Sequence, residues 1–126
     1  PKPVAIKKLL TDGGTTSFTD EFVEEIHRYF VDKMIDFYRH DSSVGEKNGV
    51  SETFGALKQA GIKVAVDTGF DREITDELLK RLGWVENGLI DTSVTSDEVL
   101  HGRPAPDMIF EAMKRTGVTD IKTVVK

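Results

Sequence analysis

The sequence predicts an α/β fold, in which a parallel β-sheet with flanking helices is preceded by an α-helical segment. Beyond residue 50, short apolar runs alternate with amphipathic segments, and this alternation is typical of parallel βαβ units. Before residue 40, the apolar residues recur with helical spacing. A polar stretch rich in turn formers, residues 40–49, separates the two patterns and predicts a linker or hinge. We therefore expect a helical segment at residues 1–45 and an α/β segment at residues 46–126.

Two helices are predicted in the helical segment. Residues 3–10 carry apolar side chains at helical spacing, and the glycine-containing turn 11–15 ends this helix. Ser17 or Thr19 is suited to cap a longer helix, whose first turn is acidic and whose apolar stripe extends to about Arg39. The helical segment is therefore predicted to form a pair of helices.

Helices and strands alternate in the predicted α/β segment. The predicted helices cover residues 50–60, 73–82 and 107–116, and the predicted strands cover residues 62–66, 89–94 and 122–125. A glycine follows each predicted helix, which is a common way to end one. Because helices connect successive strands, we expect a parallel sheet with right-handed crossovers.

The composition argues against several classes of protein. The 126 residues carry a net charge of −5, from 22 acidic and 17 basic side chains. Nucleic-acid surfaces need clustered lysine and arginine, and no basic run longer than Lys7-Lys8 occurs. No apolar run approaches the roughly 20 residues that span a bilayer, and there is no cysteine for thiolate or disulfide chemistry. We expect a cytoplasmic protein that binds neither nucleic acid nor a membrane.

The first candidate site is Thr68-Gly69-Phe70, which follows a predicted strand. Ligands of parallel sheets bind beyond the carboxyl ends of the strands, where backbone amides and helix N-termini favour anions. A hydroxyl there can donate to a phosphoryl oxygen, and a glycine lets the backbone approach the ligand. The alternative is structural, with Thr68 or Asp71 capping the next helix.

The second candidate is Arg103, in the loop that runs from His101 to Met108. Two prolines restrict the backbone around this arginine immediately before a predicted helix. Arginine is always charged and can bind phosphate through two parallel hydrogen bonds. The alternative is an ordinary solvated arginine in a loop.

These two motifs together resemble those of the haloacid-dehalogenase superfamily. A strand ending in Thr-Gly, followed about 35 residues later by Gly-Arg-Pro-x-Pro, is similar to the second and third motifs of its phosphonatase-like branch. The resemblance implies a Rossmann-like core in which Thr68 hydrogen-bonds the phosphoryl group, and we expect Gly69, Phe70 and Arg103 to belong to the same substrate site. It also implies that Arg103 steadies a nucleophilic aspartate and the developing charge, and that residues 1–45 are most of a mobile helical cap.

Lys2 corresponds to the lysine with which phosphonatases form a Schiff base. In that branch the lysine lies in a Lys-x-x-His pattern, and the histidine assists proton transfer. The chain has Lys2 but carries Ala5 at the histidine position. The resemblance thus implies a catalytic Lys2, while Ala5 favours a plain phosphomonoester hydrolase.

The resemblance further implies groups that the sequence does not contain. The family uses an Asp-x-Asp motif as nucleophile and general acid, and binds Mg²⁺ through that motif and a later acidic segment. No Asp-x-Asp occurs, so we expect the nucleophile and the Mg²⁺ ligands to lie outside residues 1–126. The sheet is then incomplete, and residues 1–126 alone are expected to be inactive and poorly stable.

The expected substrate is a small phosphorylated or phosphonate metabolite, and a homodimer through the cap is also expected. Two alternatives stay open. One is a non-catalytic α/β binding or interaction domain, in which Thr68 and Arg103 only cap helices or bind stray anions. The other is a different branch of the superfamily, either a phosphoglycolate phosphatase or a sugar-phosphate mutase.

Overall fold

A computed structural model describes residues 2–126 and confirms the predicted α/β class. The helices are α1 (Lys2–Asp12), α2 (Asp20–His40), α3 (Val50–Gln59), α4 (Arg72–Leu82) and α5 (Asp107–Thr116). The strands are β1 (Ala65–Thr68) and β2 (Thr92–Thr95), and 3₁₀ turns cover Ser96–Glu98 and Ile121–Thr123. None of the helices within residues 2–126 is both long and apolar enough to cross a membrane.

Local capping explains where the longer helices begin and end. The Thr19 hydroxyl accepts a hydrogen bond from the amide of Phe22, so Thr19 is the N-cap of α2. Asp71 caps α4 by accepting from the amide of Ile74, and Thr68 therefore does not cap this helix. Gly83 ends α4 in the left-handed conformation that glycine adopts without steric cost.

The two strands form a parallel pair in register from Ala65 opposite Thr92 to Thr68 opposite Thr95. Both strands begin three residues later than the apolar runs predict. The amide of Ile62 donates to the carbonyl of Leu57, a contact that belongs to the turn leaving α3. Similarly, the backbone at Leu89 is bonded to Trp84 in the turn after α4.

The prediction of a third strand at residues 122–125 is wrong. The structure has a 3₁₀ turn at Ile121–Thr123 instead. The Asp120 carboxylate accepts a hydrogen bond from the amide of Lys122, and the amide of Val124 donates to the carbonyl of Ile121. Local hydrogen bonds of this kind compete with strand pairing, and here they hold the backbone in a turn.

The helical segment packs on the α/β segment through α2 and α4. Val31, Ile35 and Ile74 are buried together, and Ile74 is only 1% exposed. The side chains that surround this cluster are Phe30, Met34, Tyr38 and Phe70. A second cluster, formed by Val64, Leu79 and Ile90 with partly buried neighbours from α3, lies beside the sheet.

Two arginine–glutamate pairs flank the first cluster. Arg39 donates to both carboxylate oxygens of Glu77 at 2.8 and 2.5 Å, and Arg28 donates to both oxygens of Glu73 at 3.1 Å. Bidentate pairing fixes the relative orientation of the partners as well as attracting them. The pairs therefore set how α2 lies along α4.

An ion cluster around Glu98 joins α4, β2 and α5. Arg72 Nη2 lies 2.5 Å from Glu98 Oε2, Arg115 Nη2 lies 3.3 Å from Oε1, and the amide of Thr95 donates to Oε2 at 2.9 Å. Burial acts to raise the pKa of Glu98, but the hydrogen bonds from Arg72, Thr95 and Arg115 outweigh it and lower the pKa to about 2. The folded state thus favours the ionised form of Glu98.

Glu98 should make folding stability depend on pH. Its folded pKa lies below its unfolded value, so its contribution is complete above about pH 4.5 and is lost as the pH falls toward 2. Because the side chain is partly open to solvent, we expect about 1–2 kcal/mol at pH 7. Urea unfolding of the wild type and of Glu98→Gln between about pH 2 and pH 7 measures this contribution to the free energy of unfolding. A stability difference that is the same at pH 3 and pH 7 contradicts the prediction.

Candidate active site

Thr68 ends β1, and the turn to α4 starts at this residue. Its hydroxyl oxygen accepts a hydrogen bond from the amide of Phe70 at 3.2 Å. Because the oxygen accepts there, its own hydrogen points elsewhere and can be donated to a ligand. Thr68 and Phe70 are half-buried, whereas Gly69 between them is exposed. The predicted Thr68-Gly69-Phe70 motif thus forms a surface loop at the carboxyl end of the sheet.

The Arg103 side chain reaches the same end of β1. Its Nη2 donates to the Asp67 carboxylate at 2.6 Å and to the Asp67 carbonyl at 3.0 Å. Asp67 immediately precedes Thr68. The structure therefore brings Arg103 of the second motif into contact with the residue next to the first motif. The Arg103 side chain is 56% exposed, while that of Asp67 is 14% exposed. The guanidinium therefore stays accessible to a ligand.

A second cation, Lys126, forms an ion pair with the other carboxylate oxygen of Asp67. Burial acts to raise the pKa of Asp67, but the hydrogen bonds from Lys126 and Arg103 outweigh burial and lower it. With Asp67 ionised, two positive side chains converge on one negative side chain, that of the residue before Thr68. The cluster carries a net positive charge, which favours an anion.

The loop that presents Arg103 is held against the start of α5. The amide and Nδ1 of His101 lie 3.2 and 3.0 Å from the carboxylate of Asp107. The amide of Ala105 donates to the carbonyl of Gly102 at 3.1 Å. These contacts link residues before Arg103 to residues after it, so they hold the loop in shape. Met108, which is 2% exposed, anchors α5 in the protein interior.

Lys2 lies close to the loop after β1, although it is 66 positions earlier than Thr68 in the sequence. Its ammonium is 5.0 Å from the ring centroid of Phe30 and 6.0 Å from that of Phe70. These are cation–π distances, at which an ammonium is attracted by an aromatic face. The structure therefore places Lys2 at the edge of the candidate site. Ala5, at the expected histidine position, is exposed.

Three residues of this region were not predicted from the sequence: Asp67, Ser96 and Lys126. Asp67 carried a signal, because this charged residue ends the apolar run Val64–Val66 directly before Thr68. Ser96 donates its hydroxyl to the carbonyls of Gly69 and Phe70. Its contacts depend on the strand register and have no counterpart in local sequence pattern.

The residues of this site do not form a magnesium site. In the described part of the chain, residues 2–126, no three His, Cys, Asp or Glu side chains are grouped so that they could hold a metal ion. Both carboxylate oxygens of Asp67 are paired with cations. Mg²⁺ prefers carboxylate and water oxygens in an octahedron, and Asp67 does not offer them.

Comparisons with known proteins show which families and proteins this chain is similar to. The family model for haloacid dehalogenase-like hydrolases matches residues 5–125. Phosphonoacetaldehyde hydrolase of Bacteroides fragilis is 37% identical over 78 residues, which are 62% of this chain and 29% of that protein. Pyrophosphatase PpaX of Bacillus velezensis is 36% identical over 92 residues, which are 68% of this chain and 42% of that protein.

A solved structure from Thermotoga maritima, provisionally assigned as a beta-phosphoglucomutase, has a similar fold. Its TM-score is 0.61 at 24% identity, over 94% of this chain and 51% of that one. This likeness concerns the fold alone. The chain spans less than half the length of the curated relatives described above.

Proposed function

This chain belongs to the haloacid dehalogenase-like hydrolase family, and on that premise we propose that it supplies the phosphoryl-binding part of a phosphohydrolase. The substrate class is a small phosphorylated or phosphonate metabolite. One observation carries the proposal: Arg103 is held on Asp67, the residue immediately before Thr68. A fixed cation and a hydroxyl donor at the carboxyl end of a parallel strand are suited to hold a phosphoryl group.

In this proposal, Thr68 donates its hydroxyl hydrogen to one phosphoryl oxygen. Arg103 contacts Asp67 through Nη2, and its guanidinium carries further N–H donors at Nε and Nη1 that can reach a second oxygen. Phosphoryl transfer depends mainly on positioning and on charge stabilisation. These two side chains provide both, while Asp67 prevents the guanidinium from turning away.

We propose that the reaction itself follows the route implied by the family, through an aspartyl-phosphate intermediate with Mg²⁺. Because the chain has no Asp-x-Asp motif, the nucleophile would come from outside residues 1–126. The Mg²⁺ ligands would come from there as well, in keeping with the paired state of Asp67. Magnesium would supply charge neutralisation on the phosphoryl group.

Hydrolysis of p-nitrophenyl phosphate by the protein as its gene encodes it tests the proposal. We expect product release in the presence of Mg²⁺ and none after chelation with EDTA. Residues 1–126 alone serve as the control and should give no product. Phosphate binding without hydrolysis of any phosphomonoester or phosphonate would instead favour a non-catalytic binding domain.

Phosphonate cleavage is a second candidate, favoured by the position of Lys2. Its ammonium lies 6.0 Å from the ring of Phe70, which directly follows the Thr68-Gly69 motif. A lysine in this place can reach the aldehyde of a substrate whose phosphoryl group is bound at Thr68. An aldehyde and a lysine amine condense to an imine, with loss of water. Ala5 argues for the phosphomonoesterase, because no histidine at that position can assist the proton transfers.

Borohydride reduction in the presence of phosphonoacetaldehyde distinguishes the two candidates. If Lys2 forms an imine, reduction should attach the substrate to Lys2 irreversibly, and peptide mass spectrometry locates the adduct. Lys2→Arg should give no adduct, because a guanidinium does not form the imine. Lys7→Arg is the matched control and should keep the adduct. Hydrolysis of phosphomonoesters without any adduct on Lys2 would exclude the phosphonatase reaction.

A further inference from the structure

Ser96 contacts the loop that follows β1 at three points. Its hydroxyl lies 3.0 Å from the carbonyl oxygen of Gly69 and 3.1 Å from that of Phe70, and its amide donates to the carbonyl of Phe70 at 3.0 Å. The hydroxyl has one hydrogen, which the two carbonyls share. The carbonyl oxygens of Gly69 and Phe70 are therefore directed toward Ser96.

The orientation of these carbonyls determines the orientation of the adjoining amides. A peptide group is planar, so holding the Gly69 carbonyl also fixes the direction of the Phe70 N–H. That N–H donates to the hydroxyl oxygen of Thr68 at 3.2 Å. The hydroxyl then has its acceptor side occupied by Phe70, and its hydrogen must be donated in another direction.

We infer that Ser96 is a positioning residue for phosphoryl binding, and this inference rests on the proposed function. By holding the carbonyl of Gly69, Ser96 keeps the Phe70 amide on Thr68 and thereby keeps the Thr68 hydroxyl a donor. It also keeps two partially negative carbonyl oxygens turned away from an anion bound at Thr68 and Arg103. Ser96 itself does not touch the substrate.

The support of Ser96 is rigid, as a positioning role requires. Ser96 begins a 3₁₀ turn directly after β2, and Thr95, opposite Thr68 in the sheet, is fully buried. The Thr95 hydroxyl and amide both bond to Glu98, which closes the turn. The Asp97 carboxylate additionally accepts from the amide of Arg72, at the start of α4. The parallel register therefore delivers Ser96 to the loop in a fixed place.

Vanadate and inorganic phosphate, titrated separately into the protein as its gene encodes it, test the inference. We expect Ser96→Ala to lower the affinity for both anions about fivefold to tenfold, because it removes one well-placed hydrogen bond. Ser96→Thr keeps the hydroxyl and should restore affinity to within about twofold of wild type. Ser51→Ala is the matched control. Ser51 lies on α3 and donates its hydroxyl to Glu46 at 2.6 Å, so this variant should bind both anions as the wild type does.

Two further measurements separate positioning from general support of the fold. The amide resonance of Phe70 in ¹⁵N-correlated spectra should move in Ser96→Ala and return in Ser96→Thr. If Ser96→Ala does not fold, Ser96→Cys has nearly the same size but only a weak donor, and it should show the same loss.

Three results would overturn the inference. Wild-type affinity in a folded Ser96→Ala, while Arg103→Ala loses binding, refutes Ser96 but leaves the proposed function standing. An equal loss in Ser96→Thr also refutes the hydroxyl as the cause. Absence of phosphate and vanadate binding in the wild type removes the proposed function and the inference together.

Discussion

Replacing Arg103 by alanine should weaken the binding of inorganic phosphate and vanadate about 10- to 100-fold. Hydrogen bonds to charged groups contribute about 1.5–3 kcal/mol each, which corresponds to this range. The substitution also leaves the carboxylate of Asp67 without one of its two cations. The negative charge beside Thr68 then repels the anion that Arg103 had attracted, so the loss should lie toward the upper end.

Calorimetric titration at low ionic strength measures this effect, because salt screens an exposed guanidinium. Arg103→Lys keeps the charge but not the planar fork, and an intermediate affinity is expected. Arg81→Ala is the matched control, since Arg81 donates to the carbonyl of Asp41 at the opposite end of α4. Unchanged affinity in Arg103→Ala would show that Arg103 is an ordinary solvated loop residue.

Replacing Ile74 by alanine should lower the free energy of unfolding by about 2–5 kcal/mol. Ile74 is 1% exposed and lies in the cluster with Val31 and Ile35, where α2 packs on α4. The truncation removes buried apolar surface and leaves a cavity that helices tied by ion pairs close only in part. A domain of this size has little stability in reserve, so the loss is a large share of the total.

Urea unfolding followed by circular dichroism measures the difference between wild type and Ile74→Ala. Ile121→Ala makes the same chemical change at a residue that is 51% exposed, and it should stay within about 0.5 kcal/mol of wild type. An Ile74→Ala protein that is already unfolded without urea agrees with the expectation. An unchanged midpoint would mean that α2 does not pack on α4 as the structure shows.

Local sequence signals predicted the helices well, because their causes are local. Thr19 and Gly83 act within one turn of the helix that they begin or end, and α5 covers the predicted residues 107–116. Strand bounds were less accurate, since Ile62 and Leu89 are apolar but lie in helix-exit turns. Apolar character alone does not distinguish these two situations.

The failed third strand and the missed site residues have another cause. Whether residues 122–125 pair as a strand depends on a neighbouring strand, and Asp120 instead holds the local backbone in a turn. Likewise, Asp67 and Ser96 meet their partners at separations of 36 and 26–27 residues, through the sheet register and a loop. Motif resemblance predicted Thr68 and Arg103 as site residues but did not predict the residues that contact them.

Several expectations stay predictions. They are the division at residues 45 and 46, the roles of individual site residues, the homodimer through the cap and the cytoplasmic location. Magnesium dependence and the aspartyl-phosphate intermediate belong to the proposed function. What is established is the family and an α/β fold in which the Arg103 loop meets the end of β1.

Phe70 belongs both to the loop of the candidate site and to the packing between α2 and α4. Its backbone forms part of the loop next to Thr68, while its ring packs on the cluster around Ile74 and lies 6.0 Å from the ring of Tyr38 on α2. Binding free energies that are coupled through one residue are reciprocal. If anion binding makes Phe70 favour its present position, docking of α2 must raise the affinity for the anion by the same factor. Replacing Tyr38 should then weaken phosphate binding, although Tyr38 lies on the helical segment.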